Sequence, residues 1–229
     1  MSERIAARMR DVNIEWLTRA AEFDHLFQTR WLGERFFHLP GDMLAIQELV
    51  WRVRPECIVQ TGVAAGGGAV FCASMLELAG GEGRVVAIEP RLRDEVRQRL
   101  QAHRLGHRMT LIEGDSCSDT TLAAVRERIR GRAPVMVILD LTHTHDHVLR
   151  ELECYAGLAT PGSYVIVMDT IMEYLPARMF EGKPYGRGNN PATAVQAFLA
   201  HDDRFEVDGD IEDRVLMTLS PGGFLKRAR

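Results

Sequence analysis

The stretch CIVQTGVAAGGGAVFCASMLEL (57–78) predicts the fold, because it passes from an apolar strand through a glycine-rich turn into a helix. Its first part is typical of strands buried on both faces of a parallel sheet. Gly62 permits a tight turn, and Gly66 to Gly68 let backbone N–H groups approach a ligand at the helix start. The spacing is a poor match to the dinucleotide-binding pattern GxGxxG. We interpret the turn as a ligand-binding loop, with a glycine-rich turn that binds nothing as the alternative.

The same alternation of strand and helix continues along the chain and predicts a doubly wound α/β sheet with right-handed crossovers. The predicted strands are 57–62, 84–89, 109–114, 134–140 and 164–169, and the predicted helices are 68–79, 91–102, 119–131 and 145–156.

The end of the chain departs from this alternation. FEVD (205–208) and VLMTL (215–219) are separated only by GDIEDR, which is too short for a crossover helix. We therefore predict that the two segments pair as an antiparallel hairpin. A parallel sheet that ends in such a hairpin is typical of class I methyltransferases, whereas nicotinamide-binding Rossmann domains normally lack it.

Composition excludes several classes of protein. The chain has 229 residues, of which 46% are hydrophobic, and a net charge of −4, which argues for one globular domain and against a dedicated nucleic-acid binder. Its four cysteines form no CxxC pair, so we expect reduced, buried thiols. The N-terminus lacks the apolar core of a signal peptide, and no apolar run is long enough to span a membrane. These features predict a cytoplasmic protein.

Polar residues follow the second and third predicted strands. In an open α/β sheet, ligands bind beyond the carboxyl ends of the strands. Glu89 is placed to accept both hydroxyls of an adenosine ribose, and Asp115 or Ser116 to meet the adenine amino group. The alternatives are an exposed acid at a strand end and an ordinary turn with a helix N-cap.

The fourth and fifth predicted strands end in Asp140 and Asp169. If these strands are neighbours, their ends lie about 5 Å apart. Two carboxylates so placed could share a hard divalent cation such as Mg²⁺. Alternatively, one of them caps a helix and the other hydrogen-bonds a loop.

The segment LTHTHDHV (141–148) holds three alternating histidines, which cannot all point one way at a turn. Because Thr142 or Thr144 can cap the helix that follows, we place His145 and His147 on its first turn. His143 stays in the loop and is the best candidate for a general base. The spacing does not favour a three-histidine zinc site.

At these residues the sequence resembles the cephalosporin hydroxylase family, whose members include the cephamycin 7α-methoxylation protein and rhamnosyl O-methyltransferases. The matching segments are TRWLG (29–33), LPGDMLAIQELVWRVRPECIVQTGVAAGGGAVFCASMLEL (39–78), LIEGDS (111–116), VILDLTHTHDHVLRELECYAGLATPGSYVIVMDT (137–170), GNNPATAV (188–195) and PGGFLKR (221–227).

The resemblance implies a class I fold that binds S-adenosylmethionine, with a Mg²⁺ site near the methyl acceptor in some members. It places the cofactor loop at Gly62, Gly66 and Gly67, the ribose acid at Glu89 and the metal-binding acids at Asp140 and Asp169. Together with the strand-end reasoning, the predicted cofactor-binding residues are Gln60, Thr61, Gly62, Gly66, Gly67, Glu89, Asp115, Ser116 and Asp140. The predicted catalytic residues are His143 and Asp140, and the predicted metal ligands are Asp140 and Asp169.

Three positions depart from the family pattern. The family usually has Glu where this chain has Gln60, and the missing charge could weaken contact with the methionine part of the cofactor. The antibiotic-modifying member has Glu-Asp at Met168-Asp169, which here removes one potential metal ligand. A Ser-Asp pair commonly stands where this chain has Leu141-Thr142.

We interpret the chain as an S-adenosylmethionine-dependent O-methyltransferase that acts on a hydroxyl of a small molecule, a sugar or a glycosylated secondary metabolite such as an antibiotic precursor. Residues 1–55 are expected to form an N-terminal helical extension packed on the core, with helices over 3–27 and 42–54, and residues 56–229 the cofactor-binding domain. The irregular stretch 170–190 is expected to form a lid that contacts the acceptor, or a subunit interface. Its candidate contacts are Tyr174, Phe180, Tyr185 and Arg187.

A homo-oligomer is expected from the aromatic N-terminal segment. Three other functions remain open: an NAD-dependent oxidoreductase, an iron-dependent hydroxylase, and a non-catalytic partner or scaffold that keeps the cofactor pocket.

Overall fold

The computed structural model describes residues 5–229, apart from the side chain of Leu26. The strands are β1 (Arg30–Trp31), β2 (Glu34–Arg35), β3 (Cys57–Thr61), β4 (Arg84–Glu89), β5 (Met109–Glu113), β6 (Val135–Leu139), β7 (Tyr164–Val167), β8 (Phe205–Val207) and β9 (Phe224–Arg227). The α-helices are α1 (Ile5–Ala21), α2 (Pro40–Val53), α3 (Gly67–Ala79), α4 (Asp94–Ala102), α5 (Asp119–Ile129), α6 (His145–Tyr155), α7 (Pro191–Leu199) and α8 (Gly209–Val215).

Strands β3 to β9 form one sheet in the order β5-β4-β3-β6-β7-β9-β8. The first five strands in this order are parallel, and β9 pairs antiparallel with both β7 and β8. The chain moves outward from β3 through β4 to β5 and then returns to β6, so the strand order reverses between β3 and β6. The predicted α/β sheet with a C-terminal antiparallel pair is confirmed, and ligands of such sheets bind at this reversal.

The position of one strand in the C-terminal pair was predicted wrongly. β8 lies within the predicted segment 205–208, but it pairs with β9 and not with 215–219. The residues after β8 form α8, whose N-terminus is capped because the Asp208 side chain accepts the N–H of Ile211. Periodicity does not distinguish a short buried strand from irregular backbone beside a short helix, and this ambiguity produced the error.

Helices cover both faces of the sheet. Alternate side chains of each strand point to opposite faces, so Ile58 belongs to a buried cluster with residues of α2, α3 and α4, whereas Val59 belongs to a second cluster with residues of α5, α6 and α7. All five residues of β3 and of β6 are buried. This double covering explains the continuous apolar runs from which the strands were predicted.

The N-terminal segment contacts the part of the chain around α8. The N–H of Ala6 donates to Asp213 at 2.9 Å, and the Asn13 side chain donates to the carbonyl of Leu216 at 2.6 Å. Leu17 packs in a small cluster with Leu39, among others. The predicted helix over 3–27 forms as α1 and ends at Ala21, and its first two residues lie outside the described part of the chain.

The stretch 170–190 is irregular, as predicted, and contains two single 3₁₀ turns at Thr170–Glu173 and Ala177–Phe180. We call residues 170–190 the lid segment. Among the described residues no helix combines the length and the apolar character that crossing a bilayer requires. The four cysteines are free, and burial raises the pKa of Cys57 and Cys72 to about 12.

Candidate active site

The loop between β3 and α3 follows a path that depends on its glycines. Gly62 has a φ of +86°, and a Cβ there would lie 1.9 Å from the carbonyl oxygen of Asp140. A Cβ on Gly67 would lie 2.0 Å from the carbonyl oxygen of Arg35. Because both neighbours are backbone atoms, a side chain at either position would displace the main chain. The glycines therefore bring the loop against the ends of β6 and β2.

The carboxylate at the end of β4 holds the same loop. Glu89 Oε2 accepts the N–H of Val63 at 3.0 Å and the N–H of Ala64 at 3.1 Å. A carboxylate that accepts two backbone N–H groups is fixed in place by charge-assisted bonds. Glu89 is thus positioned beside the glycine loop, and its contact with the cofactor stays a prediction.

The loop after β5 places its two predicted residues differently. Asp115 is exposed, and its Oδ1 accepts the N–H of Cys117 at 2.9 Å. Ser116 is fully buried, and its carbonyl accepts a hydrogen bond from the Tyr155 hydroxyl at 2.5 Å. Of the two side chains, only that of Asp115 is open to solvent.

Gln60 and Thr61 lie in the buried part of β3. The Gln60 amide donates from Nε2 to the carbonyl of Gly62 at 2.8 Å, which leaves its Oε1 without a hydrogen-bond partner among the described residues. The Asp140 N–H donates to the carbonyl of Thr61 at 3.1 Å and extends the pairing of β3 with β6 to the start of the loop that follows β6.

Three predicted residues converge beyond the ends of β6 and β7. One ligand atom from each of Asp140, His143 and Asp169 lies within 4.8 Å of the others. His143 Nδ1 is 3.5 Å from Asp169 Oδ2. The backbone of Asp169 is left-handed, with a φ of +61°. Two carboxylates and an imidazole in this arrangement are suited to hold a divalent cation or to accept a proton.

Burial controls the chemistry of Asp169. Desolvation raises the pKa of its carboxyl to about 6; His143 lowers it, Asp140 raises it and His38 lowers it. Burial of this kind disfavours the ionised form of the carboxyl group, unless a cation lies beside it; otherwise the group binds a proton.

His38 is a site residue that the sequence reasoning missed. Its Nε2 is 3.3 Å from Asp140 Oδ2, and its ring packs against Phe36 with centroids 4.7 Å apart. Burial lowers the pKa of His38, but Asp140, Asp42 and Asp169 together raise it above its ordinary value. The residue lies between β2 and α2, far in sequence from the strands of the main sheet, so no motif indicated it.

The other two histidines of the LTHTHDHV segment point elsewhere. His145 Nδ1 is 2.9 Å from the hydroxyl of Thr193, and His147 Nε2 is 3.5 Å from a carboxylate oxygen of the buried Glu151. Both lie in the first turn of α6, as predicted. Within residues 5–229 the three histidines form no common metal site.

The cap of α6 comes from the lid segment. Thr144 occupies the N-cap position, but its side chain makes no capping bond. Instead, Asn189 Oδ1 accepts the N–H of His145 at 2.8 Å. The prediction that a threonine side chain caps α6 is therefore wrong, because Asn189 of the distant lid segment supplies the acceptor.

The lid segment reaches His143. The ring of Tyr185 meets the His143 ring edge-on at 5.2 Å, and Phe180 packs beside Tyr185. Tyr174 lies elsewhere, under the guanidinium of Arg10. Of the four candidate acceptor contacts, Tyr185 is the one in direct contact with a predicted catalytic residue.

Glu173 anchors the lid segment. Its Oε2 accepts the N–H of Gly188 at 2.8 Å and the side-chain amide of Asn190 at 2.5 Å. The Asn190 side chain in turn caps α7. Arg187, another candidate contact, lies exposed with its Nε 4.0 Å from Glu173.

Comparisons with known proteins show which proteins this chain resembles. The family model described as "Rhamnosyl O-methyltransferase/CmcI" matches residues 24–228. The rhamnosyl O-methyltransferase of Mycobacterium tuberculosis (strain ATCC 25618 / H37Rv) is 25% identical over 206 residues, covering 87% of this chain and 78% of the relative. That of Mycobacterium leprae (strain TN) is 26% identical over 202 residues, covering 87% and 83%.

Two solved structures show the same fold. A structure described as "cmcI-D160 Mg-SAM" superposes with a TM-score of 0.60 at 20% identity, covering 89% of this chain and 78% of that one. The O-methyltransferase TomG from Streptomyces achromogenes, in complex with SAM, superposes with a TM-score of 0.52 at 20% identity, covering 87% and 78%.

Proposed function

This chain belongs to the rhamnosyl O-methyltransferase/CmcI family and is an S-adenosylmethionine-dependent methyltransferase, and we propose that its acceptor is a hydroxyl of a sugar or a glycosylated secondary metabolite. The observation that carries the proposal is the convergence of Asp140, His143 and Asp169 beyond the strand ends, next to the glycine loop. The mycobacterial relatives, named rhamnosyl O-methyltransferases, support a sugar hydroxyl as the acceptor.

We assign the cofactor to the loop between β3 and α3. Glu89 is fixed beside this loop and has carboxylate oxygens suited to the ribose hydroxyls. The exposed Asp115 suits the adenine amino group, whereas Thr61 and Ser116 are buried and would shape the pocket through their backbone. The remaining proposed cofactor residues are Gln60, Gly62, Gly66, Gly67 and Asp140.

The chemistry left to the protein is to orient the acceptor and remove its proton. The cofactor, when bound, supplies the methyl group on a sulfonium that is displaced in line. His143 is the proposed base: Asp169 lies at its Nδ1, which leaves Nε2 to take the hydroxyl proton. Tyr185 packs against the His143 ring and restricts its orientation.

A divalent cation is the second means of activating the hydroxyl. Asp140, Asp169 and His143 fit Mg²⁺ or a similar ion, because two of the three ligands are carboxylates and Asp169 is destabilised without a cation. Bound there, an ion would lower the pKa of a coordinated hydroxyl. We propose Mg²⁺ as a cofactor. The test is an assay after EDTA treatment and again with added Mg²⁺; undiminished activity in EDTA would exclude the metal role.

The acceptor class is tested with methyl-labelled S-adenosylmethionine and matched pairs of glycosides and aglycones, rhamnosides included. We expect label in the glycosides, located on a sugar hydroxyl by mass spectrometry. Transfer to the aglycones alone would contradict the sugar assignment. In the same assay, His143→Ala should reduce turnover while the affinity for S-adenosylhomocysteine stays unchanged.

The assignment of Glu89 to the cofactor can be tested against a matched glutamate on the neighbouring strand. Glu89 and Glu113 are register partners at the ends of β4 and β5. Glu89→Ala should weaken binding of S-adenosylhomocysteine strongly, and Glu113→Ala should not. Equal affinities of the two variants would place the ribose elsewhere.

We also propose that the protein is a homo-oligomer in the cytoplasm. Apolar side chains around α1 support the oligomer, because Phe23 and Phe27 are 72% and 57% exposed. Light scattering of the purified chain tests the oligomeric state; a monomer at all concentrations would refute it.

A further inference from the structure

One side chain joins the lid segment to the helix that follows His143. Asn189 Oδ1 accepts the N–H of His145, the first residue of α6, at 2.8 Å, and Nδ2 of the same amide donates to the carbonyl of Pro184 at 2.8 Å. These partners fix the orientation of the amide, because a backbone N–H must face its oxygen and a backbone carbonyl must face its nitrogen. Both polar ends of Asn189 are therefore in use, one on α6 and the other on the lid segment.

The two bonds end beside the two rings that meet in the site. His145 is two residues after His143, and Pro184 directly precedes Tyr185, whose ring meets the His143 ring edge-on at 5.2 Å. The Pro184 carbonyl lies in the peptide plane that also carries the N–H of Tyr185. A bond to this carbonyl fixes the plane, and the direction in which the Tyr185 side chain leaves the backbone depends on it. Asn189 thus relates the placement of one ring to the placement of the other.

The lid segment has further bonds around the same turn. The backbone groups of Gly186 and Asn189 exchange two hydrogen bonds of 3.0 Å. Glu173 Oε2 accepts the N–H of Gly188 at 2.8 Å, and Asn190 Nδ2 donates to the carbonyl of Gly186 at 2.9 Å. None of these bonds reaches α6. A variant that changes only the Asn189 amide should therefore keep the turn and the fold, but lose its connection to the helix or to the peptide plane.

A cap on α6 does not by itself require an amide. Aspartate accepts an N–H at a helix N-terminus as well as asparagine does, and its negative charge is favourable there. The amide of Asn189 adds a donor that the cap does not use, and this donor holds the carbonyl before Tyr185. The two roles of Asn189 can therefore be separated by a substitution that keeps the acceptor and removes the donor.

We propose that Asn189 is a positioning residue for methyl transfer: by bonding α6 and the Pro184 carbonyl at once, it holds the Tyr185 ring against His143. The orientation of the proposed base toward the acceptor hydroxyl then depends on this side chain. The inference rests on the proposed function and adds to it a residue that acts through Tyr185. Its effect should fall on the rate of transfer and not on cofactor binding.

The imidazole C–H resonance of His143 in NMR spectra reports on this contact without an acceptor, and its loss in His143→Gln assigns it. Tyr185→Leu should shift the resonance, because a neighbouring aromatic ring displaces it. Asn189→Asp keeps the acceptor for α6 but removes the donor to Pro184, and should shift the resonance in the same direction at mildly alkaline pH, where imidazoles are neutral. Lys183→Gln, at an exposed position of the same segment, should leave it unchanged. A wild-type resonance in Asn189→Asp would refute the proposal.

The double variant Asn189→Asp/Tyr185→Leu separates an effect through Tyr185 from a direct effect of the new charge. If Asn189 acts through Tyr185, the His143 resonance of the double variant should equal that of Tyr185→Leu alone. A further shift as large as the one that Asn189→Asp causes in the wild-type background would mean that the carboxylate acts on His143 directly. That result would overturn the inference.

Turnover and cofactor affinity complete the test. With the glycosides of the labelled-methyl assay, Asn189→Asp should lower kcat roughly 10-fold and leave the affinity for S-adenosylhomocysteine unchanged in calorimetry. An unchanged kcat, or a parallel loss of cofactor affinity, would contradict a positioning role. Failure of the wild type to bind S-adenosylhomocysteine would refute the proposed function instead, and would be seen apart from the shift of the His143 resonance.

Discussion

Asp169→Asn should stabilise the metal-free protein, and increasingly so as the pH rises. Burial raises the pKa of this carboxyl from 3.8 to about 6, although His143 opposes the shift. The folded protein therefore holds the proton more tightly than the unfolded chain. The stability that this proton contributes is complete at low pH and is lost as the pH rises through about 6. An asparagine removes the cost of ionising the buried group.

The size of the effect follows from the shift. A shift of about two pKa units corresponds to about 3 kcal/mol, and the side chain is only 20% exposed, so solvent screens it little. Between about pH 4.5 and about pH 7.5, the stability advantage of the variant over wild type should grow by roughly 2 kcal/mol.

The assay is chemical denaturation in EDTA across this pH range, with the exposed Asp11→Asn as the control. Repeating it with excess Mg²⁺ should stabilise the wild type above pH 6 and leave Asp169→Asn unchanged, because the ion binds only the folded carboxylate. A difference between Asp169→Asn and wild type that does not vary with pH would refute the argument from burial. Equal stabilisation of both proteins by Mg²⁺ would refute Asp169 as a ligand.

Two further predictions concern the framework of the site. Gly67→Ala should lower the free energy of unfolding by about 2–3 kcal/mol and the melting temperature by roughly 5–10 °C, because its Cβ would meet the Arg35 carbonyl; a melting temperature within a degree or so of wild type would contradict this packing. Asp42→Ala should cost about 3–5 kcal/mol in urea denaturation, since the buried carboxylate accepts the N–H groups of Leu39 and Leu219. An effect no larger than that of alanine at an exposed aspartate would show that these N–H groups find other acceptors.

The sheet could be predicted because its central parallel strands, β3, β6 and β7, are buried on both faces. Such strands are continuous apolar runs, and the strand ends at Glu89, Asp140 and Asp169 followed directly from the boundaries of the apolar runs. Neighbouring parallel strands end at the same edge of the sheet, so the proximity of Asp140 and Asp169 could be predicted from the sequence. His143 joined it because it directly follows one of these ends.

The features of the site that the sequence did not predict depend on contacts between distant parts of the chain. His38 lies before α2 and approaches Asp140 through the tertiary packing that brings β1, β2 and α2 against α3. The acceptor that caps α6 comes from Asn189, and periodicity carries no information about it. The error at 215–219 has a local cause: a few apolar residues next to a short helix have the composition of a strand.

The central claim is that the glycine loop and Glu89 bind S-adenosylmethionine. Its most direct test is isothermal titration of the purified protein with S-adenosylhomocysteine, beside Glu89→Ala. We predict saturable one-to-one binding to the wild type and a strong loss of affinity in the variant. Absence of binding of both S-adenosylmethionine and S-adenosylhomocysteine to a folded wild-type protein would contradict the claim.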